Sequence, residues 1–391
     1  MAAPLPRPVK ALGLVSLLTD ASSEMIYPLL PAFLTGTLRA GPAFLGVVEG
    51  LAEAVAALVK IVSGTLSDRM PRRKPAVVAG YGLSSLVRPL VALATAPVHV
   101  LAVRVLDRLG KGVRGAPRDA LLAEVTPGQD LGRAYGFHRA MDHAGAVAGP
   151  LLASAALLFT SDLRLVFWLA AGPAALAMAA LVFGVREEAR GAVARPPSGA
   201  GSGDGSHPAG RPFVVYLAVL AVFTLGNSSD AFLLLRAQEA GVGLAAIPLL
   251  WTLHHVVKAA ASTWGGALSD RVGRRRAILA GWAIYALAYA GFAVARSPLE
   301  VALLFAVYGL FHALTEGPER ALVAELAGSA GRGRAFGLYH AVTGGMLLPA
   351  SLLTGVLWQT FGAPAALGTG AFLAALAAVG IWRLVPEPRA I

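Results

Sequence analysis

The stretch Gly64–Lys74 reads GTLSDRMPRRK, and 202 residues further along Gly266–Arg276 reads GALSDRVGRRR. A second pair follows at nearly the same spacing: Pro117–Glu124 reads PRDALLAE, and Pro318–Glu325 reads PERALVAE, 201 residues later. RAYG at 133–136 also returns as RAFG at 334–337, and SSE at 22–24 returns as SSD at 228–230. Chance would not keep separate segments at nearly one offset. The chain therefore consists of two related halves in parallel order.

The composition points to a membrane protein. The chain has 391 residues, of which 56% are hydrophobic and 14% charged, whereas soluble domains have roughly 45–50% apolar and roughly 25% charged residues. A soluble fold could not keep this much apolar surface from water, so a lipid bilayer has to cover part of it. Cysteine is absent, which excludes disulfides, thiolate metal sites and a cysteine nucleophile.

Hydrophobic segments long enough to cross a bilayer, about 20 residues each, recur along both halves. They predict an all-α membrane protein with twelve transmembrane helices in two pseudo-symmetric six-helix bundles. The predicted spans are 11–34, 43–67, 75–95, 97–124, 131–159 and 163–186 in the first half, and 213–238, 243–268, 276–296, 299–325, 333–361 and 363–385 in the second.

A stretch rich in Gly, Ser and Pro separates the halves. Residues 187–212 include PPSGAGSGDGSHPAG, the composition of a flexible linker, between an N-terminal bundle (1–186) and a C-terminal bundle (213–391). An even number of spans leaves both termini on one side. Basic loops favour the cytoplasmic side of the inner membrane, so we expect both termini and the linker there. The basic loop residues on the opposite side are Arg39, Arg164, Arg236 and Arg296.

The repeated loop motif resembles the signature of the major facilitator superfamily, G-x-x-x-D-R-x-G-R-R-K, although Pro71 stands where the first copy would have glycine. The resemblance covers nearly the whole chain. It implies a monomeric secondary transporter that moves a small molecule by alternating access and is not an enzyme. It also implies a cytoplasmic gate formed by Gly64, Asp68, Arg69, Arg72, Asp119, Gly266, Asp270, Arg271 and Arg274.

Within this gate, the residue types predict specific contacts. Gly64 and Gly266 would let a neighbouring helix approach closely. Arg72 could form an ion pair with Asp119 or Glu124 at the cytoplasmic end of the fourth helix. The alternative is that these basic residues only set the membrane topology.

The fifth predicted helix carries a second family pattern. Gly136, Gly145, Gly149 and Pro150 match G-x8-G-x3-G-P, which resembles the motif of proton-coupled antiporters. The second half does not keep it, since methionine and serine stand where Gly145 and Pro150 would be. Small residues allow close helix packing and proline kinks the helix. Plain helix packing is therefore the alternative to a role in proton-coupled efflux.

Charged residues inside the predicted spans are candidates for the transport site, because a charge at the bilayer centre costs at least roughly 2.5–3.5 kcal/mol. Arg104, Arg108 and Lys111 follow one another on one face of the fourth helix, and Arg108-x-x-Lys111-Gly112 resembles the family's R-x-x-Q-G pattern for proton coupling. We expect Glu24 or Asp142 to carry protons and Arg108 to modulate that carboxylate. The alternative is that these charges form a fixed ion-pair network that holds the helices together. The first-half candidates are Asp20, Glu24, Glu49, Glu53, Asp107, Arg108, Lys111, Asp142 and His143.

The second half contributes histidines to its predicted spans. Histidine can relay protons near neutral pH or bind a metal, but most membrane histidines only form hydrogen bonds, so no metal ligands and no cofactor are assigned. The second-half candidates for the cavity are Asp230, His255 and Lys258.

Several functions can be excluded or ranked from the motifs. There is no GxxxxGK[ST], GxSxG or HExxH motif, which argues against direct ATP coupling and hydrolytic chemistry. The basic clusters alternate with apolar spans and lack interleaved aromatic residues, so no nucleic-acid partner is expected. The leading interpretation is proton-coupled efflux of a small solute. Import of a nutrient or organic anion, export of a metal or metal chelate, and a non-transporting scaffold are the alternatives.

Overall fold

The fold is all-helical in the residues that a computed structural model describes, namely 5–70, 72–126, 130–185, 187, 210–327 and 332–386. Twelve helical segments correspond to the twelve predicted spans. They are α1 (Arg7–Ile26), α2 (Pro42–Arg69), α3 (Lys74–Val87), α4 (Pro97–Glu124), α5 (Leu131–Leu157), α6 (Leu163–Leu169 and Ala171–Gly184), α7 (Arg211–Gly226 and Ala231–Glu239), α8 (Ile247–Val272), α9 (Arg274–Val294), α10 (Pro298–Ala327), α11 (Arg332–Phe361) and α12 (Ala363–Leu384).

Four predicted spans deviate from a continuous α-helix. The third ends in a 3-10 helix at Arg88–Leu93, and the sixth is interrupted at Ala170. The first span changes to a 3-10 turn at Tyr27–Leu29 and ends in a π-helical turn at Phe33–Thr37. Pro28 and Pro31 lie in this region, and each lacks the backbone N–H that an α-helix needs. The predicted span near 213–238 is present, but its helix α7 stops at Gly226 and resumes at Ala231.

The helices form two compact units. The first contains α1–α6 together with Val242–Thr252, and the second contains the other described residues. In the first unit α1 packs on α5 and α6, and α4 packs on α2 and α3. In the second unit α9 packs on α10 and α12, and α7 packs on α11 and α12. The predicted linker lies outside the described residues, except for Glu187 and residues 210–212.

Glycines set the closest helix contacts within the first unit. A Cβ atom at Gly145 would overlap the carbonyl oxygen of Leu17, and one at Gly149 would overlap that of Ala21, so α5 lies backbone to backbone against α1. The expected close approach is absent at two other motif glycines. An added Cβ at Gly136 or Gly266 would meet no described atom within 4 Å, because these residues face away from the neighbouring helices.

Gly64, the first-half counterpart of Gly266, makes only an ordinary van der Waals contact with its neighbouring helix. A Cβ at Gly64 would lie 3.6 Å from the Cβ of Ala116, which is a normal van der Waals distance. The tight position between α2 and α4 is Gly112, where a Cβ would come within 2.8 Å of Val59. The small residue that lets these helices meet is therefore on α4.

Length and apolar composition fit a membrane protein. Among the described residues, seven helices are long and apolar enough to cross a membrane: α3 with its 3-10 continuation, α6, α7, α9, α10, α11 and α12. Most of the internal charges lie on the other helices of the first unit, which lowers their hydropathy. Large apolar side chains are also exposed, including Phe159, Phe183 and Phe361, as expected for surfaces covered by lipid rather than water.

Candidate functional site

Buried ion pairs connect α2 and α4 in the first unit. The guanidinium of Arg104 holds Glu49 through both carboxylate oxygens, at 2.7 and 2.9 Å from Nη2, and its Nε donates at 3.1 Å. The Glu49 side chain is 1% exposed and that of Arg104 is 8% exposed. Arg104 also lies over the ring of Tyr27 at 5.5 Å. This bidentate arrangement satisfies both charges away from water.

Arg108, one turn further along α4, pairs with a second acid on α2. Its Nε lies 2.8 Å from Oε1 of Glu53, and its Nη1 lies 3.7 Å from Oδ2 of Asp107. The direct ion-pair partners of Arg108 are therefore Glu53 and Asp107 rather than Glu24 or Asp142. Lys111, the last member of the predicted stripe, is exposed. The sequence identified the basic face but not the acids bound to it.

Arg88 is a functional candidate that the motif search did not include. Its side chain is 5% exposed, and its Nη2 donates to Oδ1 of Asp107 at 2.9 Å. Its Nη1 donates to the backbone carbonyl of Thr19 and to the hydroxyl of Ser22, both at 3.1 Å. Arg88 therefore joins α1 and α4 from the end of α3. Arg88 could have been selected from the sequence, because it is a charged residue inside the otherwise apolar third span.

Glu24 on α1 has a different environment from the acids of α2 and α4. The indole Nε1 of Trp251 donates to its Oε2 at 2.7 Å, and Ser23 Oγ lies 3.4 Å from its Oε1. The Trp251 ring also packs on the Tyr27 ring, with centroids 5.3 Å apart. In the described part of the chain, no ion pair joins Glu24 to a basic side chain. Trp251 was not predicted, because the aromatic lies far away in sequence.

Asp142 on α5 is bound by polar groups from α1 and from its own helix. Ser16 Oγ donates a short hydrogen bond to Oδ1 of Asp142, and Nδ1 of His138 lies 3.5 Å from Oδ2. Nη1 of Arg139 is 3.9 Å away. Asp20, on the same α1 surface, is half-buried opposite Gly145. The adjacent His143 is also half-buried. The α1–α5 contact therefore brings Asp20 and Asp142 to one junction.

The polar cluster of the second unit consists of aromatic and imidazole groups around Asp230, whereas acids of the first unit are paired with arginines. Tyr308 Oη donates to Oδ1 of Asp230 at 2.6 Å. The ring of His254 stacks on Tyr308, with centroids 5.1 Å apart, and the His255 ring lies 5.4 Å from His254. Asp230 and His255 were predicted candidates, whereas His254 and Tyr308 were not selected.

Two acids of α10 complete the polar groups of this unit. Lys258 Nζ lies 2.6 Å from Oε1 of Glu316. Glu319 is 7% exposed and accepts hydrogen bonds from Trp282 Nε1 at 3.1 Å and from Tyr339 Oη at 3.0 Å. Lys258 was a predicted cavity residue, whereas neither acid was predicted, although a carboxylate within an apolar span was a usable signal.

The repeated loop motif makes similar contacts in both halves, but its register differs from the sequence alignment. Arg73 pairs with Glu124 in the first unit, and Arg274 pairs with Glu325 in the second. The predicted pair with Arg72 is therefore wrong, since the next residue makes the contact. Gly273 has a φ of 94°, a left-handed value that favours glycine, and its first-half counterpart Pro71 lies outside the described residues.

The remaining gate residues lie at the ends of the same helices. Asp119 binds Arg118 at 2.8 Å, so its partner is its own neighbour. Asp270 lies 3.3 Å from Arg274, and Arg271 is exposed at the end of α8. The side chains of Asp68 and Arg69 lie outside the described residues.

Comparison with known proteins agrees with the repeated fold. The model of the Major Facilitator Superfamily matches residues 12–253 and again 214–391. An uncharacterized MFS-type transporter, MJ1317 of Methanocaldococcus jannaschii, is 34% identical over 91% of this chain and 89% of its own length. The multidrug resistance protein MdtH of Proteus mirabilis is 33% identical over 38% of this chain and 36% of its own. The solved nucleoside transporter NupG superposes with a TM-score of 0.78 at 13% identity, covering 96% of this chain and 98% of NupG.

A multi-pass membrane transporter is the class of protein that this fold and its buried charges define. The chain belongs to the Major Facilitator Superfamily, as the match over both halves and the archaeal relative show. The predicted twelve-helix fold is thereby confirmed. So is the expectation that the protein is a transporter of small molecules rather than an enzyme.

Proposed function

We propose that the protein exports a small solute across the inner membrane in exchange for protons, as a monomer with both termini in the cytoplasm. Two observations support export. Relatives over more than a third of the chain are named multidrug resistance proteins, and the α5 glycines resemble the pattern of proton-coupled antiporters. The gate residues of both loop motifs would open and close the cytoplasmic side during the transport cycle.

The observation that carries the coupling proposal is the contrast between Glu24 and three other acids of the first unit. Glu49, Glu53 and Asp107 each bind an arginine, which stays protonated and favours the ionised carboxylate. The described partners of Glu24 are the neutral donors Trp251 and Ser23. A half-buried carboxylate with neutral partners can gain and lose a proton without breaking an ion pair. Glu24 is therefore the proposed proton carrier.

Asp142 is the second proposed carrier. It accepts a hydrogen bond from Ser16, and its other oxygen faces the imidazole of His138. Gly145 and Gly149 hold α5 against α1, so the groups around Asp142 and Glu24 would move together. Arg108 would modulate Glu24 by exchanging its present partner, Glu53, during the cycle.

Proton-driven flux in proteoliposomes tests this proposal. The purified protein is reconstituted with an imposed pH gradient, and proton movement is followed with acridine orange while cationic drugs, organic anions and neutral solutes are added in turn. Glu24→Gln should abolish solute-dependent proton movement, and Asp142→Asn should strongly reduce it. Glu300→Gln is the matched control, since this exposed acid caps the start of α10 by accepting from the backbone of Arg296.

Two results would contradict the proposal. Wild-type flux and pH dependence in both Glu24→Gln and Asp142→Asn would mean that coupling occurs elsewhere, with Glu53 and His255 as the next groups to test. Movement of solute and protons in the same direction would instead indicate symport and would contradict exchange.

A further inference from the structure

Two imidazoles and one carboxylate meet inside the second unit. One donor atom from each of Asp230, His254 and His312 lies within 4.8 Å of the other two. Asp230 comes from the break in α7, His254 from α8 and His312 from α10. We propose that these three residues bind a divalent transition metal of the zinc class, such as Zn²⁺, Co²⁺ or Ni²⁺. Imidazole nitrogens with one carboxylate oxygen suit these ions and leave coordination positions open.

The orientation of His312 supports a role as a ligand. Its Nδ1 lies 3.5 Å from Oε1 of Glu316, and its Nε2 is buried with no hydrogen-bond partner among the described residues. A metal-binding histidine commonly directs its second ring nitrogen to a carboxylate, which fixes the tautomer and the ring orientation. Glu316 is itself fixed by Lys258 at 2.6 Å. Nε2 of His312 is therefore the nitrogen available to a metal.

The other two ligands are also held by neighbours. Tyr308 Oη donates to Oδ1 of Asp230 at 2.6 Å, which leaves the second carboxylate oxygen for a metal. The His254 ring is 1% exposed and lies between Tyr308, stacked at 5.1 Å, and His312, at 5.2 Å and an angle of 72°. Metal–nitrogen bonds of about 2.0–2.1 Å put tetrahedral ligands roughly 3.3–3.5 Å apart. Side-chain rotations that shorten the separations, which are within 4.8 Å, by up to about 1.5 Å would therefore close the site.

The internal repeat makes this site specific to the second half. At the offset of 201 residues that relates α4 and α10, His312 corresponds to Lys111 and Tyr308 corresponds to Asp107. Asp230 corresponds to Glu24 in the repeated SSE and SSD tripeptides. The position of His312 therefore has no imidazole in the first half, so the first half does not carry the same three ligands. The inference does not depend on the direction of transport or on its coupling to protons.

Direct metal binding tests the proposal with the full-length protein, purified without a polyhistidine tag. Co²⁺ alone is titrated and its visible d–d absorption recorded, followed by displacement with Zn²⁺ and, separately, with Mg²⁺. We expect saturable binding of one Co²⁺ per chain that Zn²⁺ displaces and Mg²⁺ does not. Asp230→Asn and His312→Gln should each abolish the absorption. Glu316→Gln should weaken binding by about 10–100-fold, as is typical for loss of a supporting carboxylate.

The matched control is His340→Gln, which removes an exposed histidine of α11 outside the cluster and should bind Co²⁺ as the parent does. Size-exclusion chromatography checks that each variant is folded. If His312→Gln does not fold, Co²⁺ binding by Asp230→Asn and Glu316→Gln tests the proposal, because these substitutions change the charge of a side chain with little change in its shape. Absence of saturable Co²⁺ binding by the parent, or undiminished binding in the folded cluster variants, would overturn the proposal.

Discussion

Replacing Arg104 with methionine should destabilise the protein strongly. The substitution keeps most of the side-chain volume but leaves Glu49, which is 1% exposed, without the arginine that binds both of its oxygens. Removal of one partner from a buried ion pair typically costs about 3–5 kcal/mol. Glu49→Leu should have a similar effect, because it leaves the buried guanidinium without its carboxylate.

The double variant Glu49→Leu/Arg104→Met should recover most of this loss. Replacement of both charges by apolar groups of similar size is often neutral or stabilising, because neither ion has to be removed from water. The double-mutant cycle should therefore give a coupling energy of at least about 3 kcal/mol. Asp270→Asn is the control. Asp270 is an exposed partner of Arg274, and its loss should cost less than about 1 kcal/mol.

SDS-induced unfolding of the detergent-solubilised protein, followed by tryptophan fluorescence, measures these free energies. Additive effects of the two single substitutions would refute the reasoning, since they would show that the pair does not act as a unit. Transport by the stable double variant then separates the two roles of the ion pairs. Wild-type flux would show that this pair only holds α2 and α4 together, whereas loss of flux with normal stability would show that its charges take part in transport.

Three further predictions concern packing, the gate and topology. Gly149→Leu should destabilise the protein by at least about 1–3 kcal/mol through overpacking against α1. Gly136→Leu should be tolerated, because a Cβ atom added at Gly136 would have no described atom within 4 Å. Thermal unfolding of the two variants should therefore give clearly different midpoints. Arg73→Gln should lower the free energy of unfolding by about 1.5–3 kcal/mol through loss of the charged hydrogen bond to Glu124. Unaltered SDS unfolding of this variant would show that the contact does not stabilise the protein. The chain has no cysteine, so Ala200→Cys gives a single thiol in the predicted linker, which a membrane-impermeant maleimide should label only in inside-out vesicles.

The contacts of the charged residues could be predicted only in part. The basic face of α4 and the acids of α1, α2 and α5 follow from helical spacing and from the cost of charge in a bilayer. Their pairing does not, because Arg104 and Glu49 are 55 residues apart in sequence and meet through the rotation of two helices about their axes. Spacing along one helix cannot fix that rotation. The same reason explains why Arg88 and Trp251 were missed.

The sequence by itself determined the twelve helices, the two related halves and the family, because hydrophobic length, loop charge and the repeated motifs are local signals. The tertiary structure decided which groups share a site. It gave Glu24 a neutral indole partner and gave Glu49, Glu53 and Asp107 arginine partners. It also shifted the gate contact from Arg72 to Arg73, and it brought one carboxylate and two imidazoles together from three helices. These outcomes depend on side chains meeting across packed helices, where a change of one residue in register turns a side chain by about 100° around the helix axis.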